Sequence, residues 1–312
     1  MLFLTLISIF VLGWSIGYSG IASVFGVSSA NGIIKYRTTA ILSAVFVFIG
    51  AYFGGYRGLQ NVHSMVYIES LELKIVIAIS AALTGIILAQ LGVSVSITQA
   101  IIGALAAAGF IAGDINLKIL FNIVLGWVLT PLGGVLFGFL FYKSIRPFFN
   151  KIKSLFIQQI VVKMFALIVG IYGSYALGAN NFAVVAGPFF DKQTGASLLT
   201  ILTIGALSMS VGALIYSRKI ADTVGKKITV LEPVGVIVTM FAQSTTVWIY
   251  SLFGIPVSAS QAIVGGVIGV GFAGNSHFVS WKTMLKMILG WLITPLMSGL
   301  IVTVVHFLLF RI

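Results

Sequence analysis

Residues 95–110 read VSITQAIIGALAAAGF, and residues 257–272 read VSASQAIVGGVIGVGF. Set 162 positions apart, the two share Val, Ser, Gln, Ala, Ile and Gly in the same order. A match of this length inside apolar sequence marks an internal duplication, which has to be settled before any fold assignment. Each copy joins a short polar cluster, Ser-x-Thr/Ser-Gln, to a Gly/Ala-rich apolar tail. That is how a broken helix with a polar mouth reads, and the rest of the chain is organised around these two mouths.

Of the 312 residues, 59% are hydrophobic and 8% charged, and the mean hydropathy is +1.15. A soluble domain carries about 25% charged residues, so the class is a polytopic membrane protein, lying in a lipid bilayer and multi-pass in the cell membrane. The net charge of +12 would point to nucleic acid in a soluble domain. Here the Lys and Arg fall mostly between apolar spans, where orientation in the bilayer explains them, and no nucleic-acid partner is expected. The absence of cysteine excludes disulfides, thiolate metal ligation and thiol catalysis. The opening MLFLTLISIFVLGW lacks a basic leader and a small-residue cleavage site, so it reads as a retained first span.

A span needs about 20 apolar residues. The first half offers 2–27, 38–56, 74–92, 94–112 and 117–142; the second offers 155–187, 197–216, 229–253, 256–273 and 283–310. Gly126-Trp127-x-x-Thr130-Pro131 recurs as Gly290-Trp291-x-x-Thr294-Pro295, and Gly17 to Gly26 maps onto Gly178 to Gly187. The offsets stay nearly constant, so the whole chain is duplicated: residues 1–150 form one repeat and 151–312 the other. An odd number of spans per repeat makes the two copies inverted. With both termini outside, the inner loops hold Lys35, Arg37, Lys143, Arg146, Lys151, Lys153, Arg218, Lys219, Lys226, Lys227, Lys282 and Lys286. The outer loops hold Arg57, Lys74, Lys118, Lys192 and Arg311, and Lys163 falls inside a helix. That excess obeys the positive-inside rule. The expected fold is all-α, about ten to twelve transmembrane segments in two inverted repeats with discontinuous helices. Either Ser-rich segment can also be read as re-entrant, which changes the span count.

Inverted repeats with broken helices place substrate where the repeats meet, near the midplane. The breaks are expected at 17–20, 94–99, 178–181 and 256–261, each with a helix N-terminus whose free N–H groups and positive dipole end favour an anion. Ser19, Gly20, Ser96, Thr98, Gln99, Asn180, Asn181, Ser258, Ser260 and Gln261 are the substrate-binding candidates. The plainer alternative is that these small polar residues only pack helices; two symmetric clusters favour a site. The carboxylates are Glu69, Glu72, Asp114, Asp191, Asp222 and Glu232, all in or beside loops. Glu232, before Pro233 at a helix start, is a weak candidate for coupling. Lys163 lies within snorkelling reach of an interface. His63, His277 and His306 show no metal-ligand spacing, and no metal or cofactor is expected. Neither the paired carboxylates of Mg²⁺ chemistry nor a Ser–base pair is present, which argues against an intramembrane enzyme.

At these residues the chain resembles the inorganic phosphate transporter family over nearly its full length. The family's signatures, once per half, are a Gly-x-Asn-Asp-x-x-Asn break and a Pro-x-Ser-Thr-Thr-His segment. Gly178-Ala179-Asn180-Asn181 and Pro256-Val257-Ser258-Ala259-Ser260-Gln261 carry them in the second half. Gly17-Tyr18-Ser19-Gly20 and Ser94-Val95-Ser96-Ile97-Thr98-Gln99 carry them in the first, and Thr223 to Thr229 resembles the family's central loop. Both motif aspartates are replaced, by Gly20 and Asn181, and both histidines by Gln99 and Gln261. Phosphate carries protons near neutral pH and asks for an acceptor; sulfate only accepts hydrogen bonds. An unpaired donor or acceptor costs about 1–3 kcal/mol, so these replacements favour sulfate. They also resemble the family's sulfate permease branch, which implies sulfate uptake. Loss of the aspartates, which serve cation coupling in the phosphate members, argues against a sodium site and implies proton symport. A sodium- or proton-coupled phosphate symporter is the alternative. The resemblance also implies a homodimer.

Overall fold

A computed structural model describes residues 2–90, 95–190, 195–226, 231–274 and 280–310. Ser94, Asp191, Lys192, Lys227, the end of the 223–229 loop, His277 and Arg311 lie outside the described residues. The described residues form helices joined by short turns and links, with no strand, as a chain in lipid must unless it closes a barrel.

The first half contains α1 (Leu2–Gly20), α2 (Gly26–Ala30), α3 (Tyr36–Ile49), α4 (Tyr56–His63), α5 (Leu71–Gln90), α6 (Ile97–Ala112) and α7 (Leu117–Asn150). A π-helical turn at Gly50–Gly54 joins α3 to α4. The second half contains α8 (Leu155–Ala186), α9 (Leu198–Leu214), α10 (Arg218–Lys226), α11 (Pro233–Leu252), α12 (Ala259–Ala273) and α13 (Trp281–Phe310). Helix starts follow the sequence: the side chains of Ser96, Asn116, Ser154 and Ser197 each accept from the N–H three residues on, capping α6, α7, α8 and α9. Gly113 ends α6 at φ 71°, a left-handed conformation that suits glycine.

The elements recur at the spacing of the sequence repeat: α11 starts and ends 162 positions after α5, and α12 starts 162 after α6. The packing between halves is exchanged in the same way. A Cβ at Gly17 of α1 would lie 2.0 Å from the Met209 carbonyl oxygen of α9, and one at Gly178 of α8 would lie 2.3 Å from that of Val47 on α3. A Cβ at Gly103 of α6 would meet the Pro295 carbonyl oxygen of α13 at 2.3 Å, and one at Gly265 of α12 that of Pro131 on α7 at 2.1 Å. Backbones touch at these crossings, so each glycine is required by its partner helix in the other half.

The structure differs from the sequence expectations at three points. Seven described helices are long and apolar enough to cross a membrane, or eight if α9 and α10, bent by 69° at their junction, form one span. The shortfall from ten lies in α6 and α12, with 16 and 15 residues, and, on the count of seven, in α9 as well. At 1.5 Å per residue they reach about 22–24 Å, short of a core of about 30 Å. The breaks in the first span of each half also fall later than expected. α1 runs through Gly17–Gly20 and turns in a 3₁₀ segment, Ile21–Ser23; α8 runs unbroken through Gly178–Asn181 and ends at the 3₁₀ turn Gly187–Phe189, which contains Pro188. Nothing in Gly-Ala-Asn-Asn forbids a helix when its glycine serves packing. Lys74, expected in an outer loop, is instead buried in the first turn of α5, 1% exposed. Lys163 is exposed on α8, where a long cationic side chain can snorkel.

Candidate functional site

Ser96 and Ser258 are the residues immediately before α6 and α12. The two helix starts face one small chamber of about 20 Å³, completed by Ser19 and Gly20 from the end of α1, by Ser23 from the 3₁₀ turn after it and by Asn181 from α8. Thr98 and Ser260, on the first turns of α6 and α12, line it too. Four segments far apart in sequence therefore meet, two from each half. The Gln99 N–H is taken by Ser96 Oγ and the Gln261 N–H by the Ser258 carbonyl; the N–H groups ahead of them in each first turn have no acceptor one turn back in the helix, and two positive dipole ends converge there. The other two segments differ from expectation. Residues 17–20 close α1 and 178–181 lie within α8, so neither supplies a helix N-terminus.

Hydrogen bonds fix the lining. Thr98 Oγ1 donates to Asn181 Oδ1, and Asn181 Nδ2 donates to the Leu177 carbonyl at 3.3 Å. Ser19 donates to the Ser15 carbonyl at 2.8 Å. Ser96 Oγ accepts from the Gln99 N–H at 3.4 Å, which leaves its own hydrogen available. Ser258 and Ser260 share one bond of 2.8 Å, so one of these two hydroxyl hydrogens is available as well. No Asp, Glu, His, Lys or Arg is among the lining residues. The chamber is a set of neutral donors and helix ends, which is chemistry for an anion that only accepts.

Gln99, Asn180 and Gln261 stand outside the lining. Asn180 Nδ2 donates to the Ile255 carbonyl at 2.8 Å and its Oδ1 accepts from the Val257 N–H at 2.9 Å. With both ends of its amide committed to the segment leading into α12, it positions Ser258. Gln99 and Gln261 are buried, 2% and 4% exposed, and Oε1 of each has no hydrogen-bond partner. Glu232 is not among the lining residues: its Oε1 accepts from Tyr142 Oη at 2.6 Å and pairs with Arg146 Nε at 3.2 Å, both charged side chains nearly half-exposed. It ties the start of α11 to the end of α7. Among the described residues no group of His, Asp and Glu could hold a metal ion.

The sequence reading missed Ser23, buried in the turn after α1. It falls four residues after Ser19, a spacing that would have marked it had the turn been placed correctly. A second, larger cavity of about 470 Å³ adjoins the chamber through Ser19, Val95 and Ile97. Lys219 of α10 and Lys286 of α13 line it; sequence reading gave them an orientation role only.

The phosphate transporter family model matches residues 16–302. A putative phosphate permease of Methanocaldococcus jannaschii is 29% identical over 299 residues, covering 96% of this chain and 94% of that protein. A sulfate permease of Bacillus subtilis is 33% identical over 295 residues, covering 91% and 81%. Among solved structures, a sodium-dependent phosphate transporter superposes with a TM-score of 0.85 at 23% identity, over 100% of this chain and 99% of that one, which shows the same fold.

Proposed function

The chain belongs to the phosphate transporter family, and from that premise we propose that it is a secondary active permease that takes up an inorganic oxyanion, sulfate in preference to phosphate. The observation that carries this reading is the chamber at Ser19, Ser96, Thr98, Asn181, Ser258 and Ser260, where helix starts and hydroxyls converge without a carboxylate or imidazole. A protonated oxyanion finds no strong acceptor there, and a fully deprotonated one needs none. Gly20 and Asn181 stand where the resemblance would place aspartates.

Residues 1–150 and 151–312 act as two inverted repeats that meet at this chamber. The exchanged glycine contacts support the pairing. The inversion is compatible with a short helix where the non-helical segment ahead of it, residues 255–258 for α12, completes the path that the helix leaves unfinished. Both termini lie outside, which the lysine and arginine distribution supports. A chamber of about 20 Å³ is close to the smallest space that admits one water, about 10–15 Å³. Anion binding therefore requires the surrounding helices to part, as alternating access does. Proton symport powers uptake, and the permease works as a homodimer.

A second reading has its own support: several relatives carry the name phosphate permease, and the solved neighbour is a sodium-dependent phosphate transporter. Uptake of labelled sulfate into proteoliposomes under imposed proton or sodium gradients separates the two. Sulfate uptake driven by protons, with little competition from phosphate, is expected. Phosphate displacing sulfate at equal concentration, or dependence on sodium, selects the second reading.

A further inference from the structure

The larger cavity holds cationic side chains that the chamber lacks. Lys219 and Lys286 come from different helices, α10 and α13, and line the same space of about 470 Å³. Each sits within one turn of a threonine on the same wall: Thr223 follows Lys219 by four residues, and Thr283 precedes Lys286 by three. No carboxylate lines the cavity. The carboxylate nearest along α10, Asp222, is paired with Lys226 at 3.1 Å. The two ammonium groups are therefore not neutralised by the cavity wall, and the apolar remainder of that wall concentrates their field. Ser19, Val95 and Ile97 line both this cavity and the chamber, so the two spaces are neighbours across one wall.

We propose that this cavity is a second anion site, an antechamber in which Lys219 and Lys286 hold a tetrahedral oxyanion between bulk water and the deep chamber. The proposal rests on the permease reading for the identity of the anion. It divides the work between two stations. The outer one attracts by full charge and discriminates little. The inner one, built of neutral donors, selects. An anion held only by two exposed lysines is screened by salt, so it can leave as readily as it arrives.

The chain has no cysteine, so a single Thr223→Cys reports from the cavity wall alone. The purified protein in neutral detergent, with no anionic lipid, is treated with anionic and cationic methanethiosulfonate reagents, and the modification rates are compared. The anionic reagent should react about ten-fold faster or more, sulfate should slow it, and both effects should vanish when Lys219→Gln and Lys286→Gln are added. Equal rates for the two reagents, or no slowing by sulfate, overturn the proposal. Slowing by phosphatidylglycerol micelles but not by sulfate also overturns it, since the site would then hold a lipid headgroup. Protection by sulfate should survive Ser96→Ala with Ser258→Ala; its loss there would mean that one deep site accounts for everything. Sulfate protection without sulfate uptake refutes the permease reading and leaves the antechamber standing.

Discussion

Thr98, on the first turn of α6, donates its hydroxyl to Asn181 Oδ1 on α8, joining the two halves across 83 positions of sequence. The bond spans the wall of the chamber that both residues line. Asn181→Asp would keep the acceptor for Thr98 but lose the donor to Leu177 and place a negative charge where no cation is within the lining. Two like charges about 4 Å apart repel by about 4 kcal/mol at an effective dielectric of 20, more than enough to weaken sulfate uptake by about ten-fold, which needs only about 1.4 kcal/mol. Labelled uptake by the variant measures this. Unchanged sulfate transport would remove Asn181 from the substrate's surroundings.

Its neighbour Asn180 should behave differently. The amide holds Ile255 and Val257 backbone groups on both sides, so Asn180→Asp sets a carboxylate oxygen against the Ile255 carbonyl and costs about 1–3 kcal/mol. The expected result is a lower melting temperature in detergent with a proportional fall in all transport. The ratio of sulfate to phosphate inhibition should stay constant. A shift in that ratio would instead make Asn180 a contact to substrate.

These adjacent asparagines show what sequence can and cannot convey here. The repeat, its near-constant offset and the polar mouths at Ser96 and Ser258 were legible, because helix caps and duplicated motifs are local patterns. The division of labour between Asn180 and Asn181 was not: one points its amide at the lead-in to α12 and the other at Thr98, a difference set by tertiary packing. The break in the first span of each half was misplaced for a related reason. Gly17 and Gly178 read as helix breakers, but each is the small residue that lets its helix touch a backbone in the other half. A glycine that breaks a helix and one that permits close packing look the same in one dimension. Ten apolar stretches gave seven or eight described helices that meet the length of a span, the difference falling mainly at α6 and α12, because apolar composition records burial, not how much of the bilayer a helix crosses.

Ser96 and Ser258 occupy matching positions but bond differently. Ser96 Oγ caps α6 by accepting from Gln99, whereas Ser258 makes no side-chain cap bond and pairs with Ser260. Ser96→Ala should therefore lose about 0.5–2 kcal/mol of stability as well as affinity for the anion. Ser258→Ala should weaken the anion with little change in melting. Ser43→Ala, on α3 where the hydroxyl accepts from Ser174 outside the chamber lining, serves as the comparison and should leave KM unaltered. Equal KM for all three variants would refute the placement of the site.

Glu232 offers a test of coupling. The pair with Arg146 is nearly half-exposed, and such pairs contribute about 0–1 kcal/mol; the short bond from Tyr142 adds a modest local constraint between α7 and α11. Glu232→Gln should lower stability slightly and leave uptake driven by an imposed proton gradient intact. Abolition of proton-driven uptake, with counterflow exchange preserved, would assign the carried proton to Glu232.

The glycine–proline crossings set the rigidity of the framework around the chamber. Pro131 and Pro295 lie inside α7 and α13, where a proline removes one helical hydrogen bond and bends the helix. Gly265 and Gly103 fit against the carbonyl oxygens of these prolines. Because the obstacle is backbone, it cannot turn aside as a side chain could. Gly265→Ala and Gly103→Ala should each force the paired helices apart, with a loss of about 1–3 kcal/mol from overpacking. Gly235→Ala is the informative contrast, since the nearest atom to its Cβ is 3.3 Å away on the Val270 side chain, and α11 gains from the better helix former. Thermal unfolding in detergent should rank Gly235→Ala at or above the wild type and the two crossing variants well below it. Since the crossings hold α6 and α12, whose first turns line the chamber, the crossing variants should also lose sulfate affinity at temperatures where they remain folded. Melting as high as the wild type would show that α7 and α13 yield at their prolines, and that these contacts are hinges rather than fixed supports.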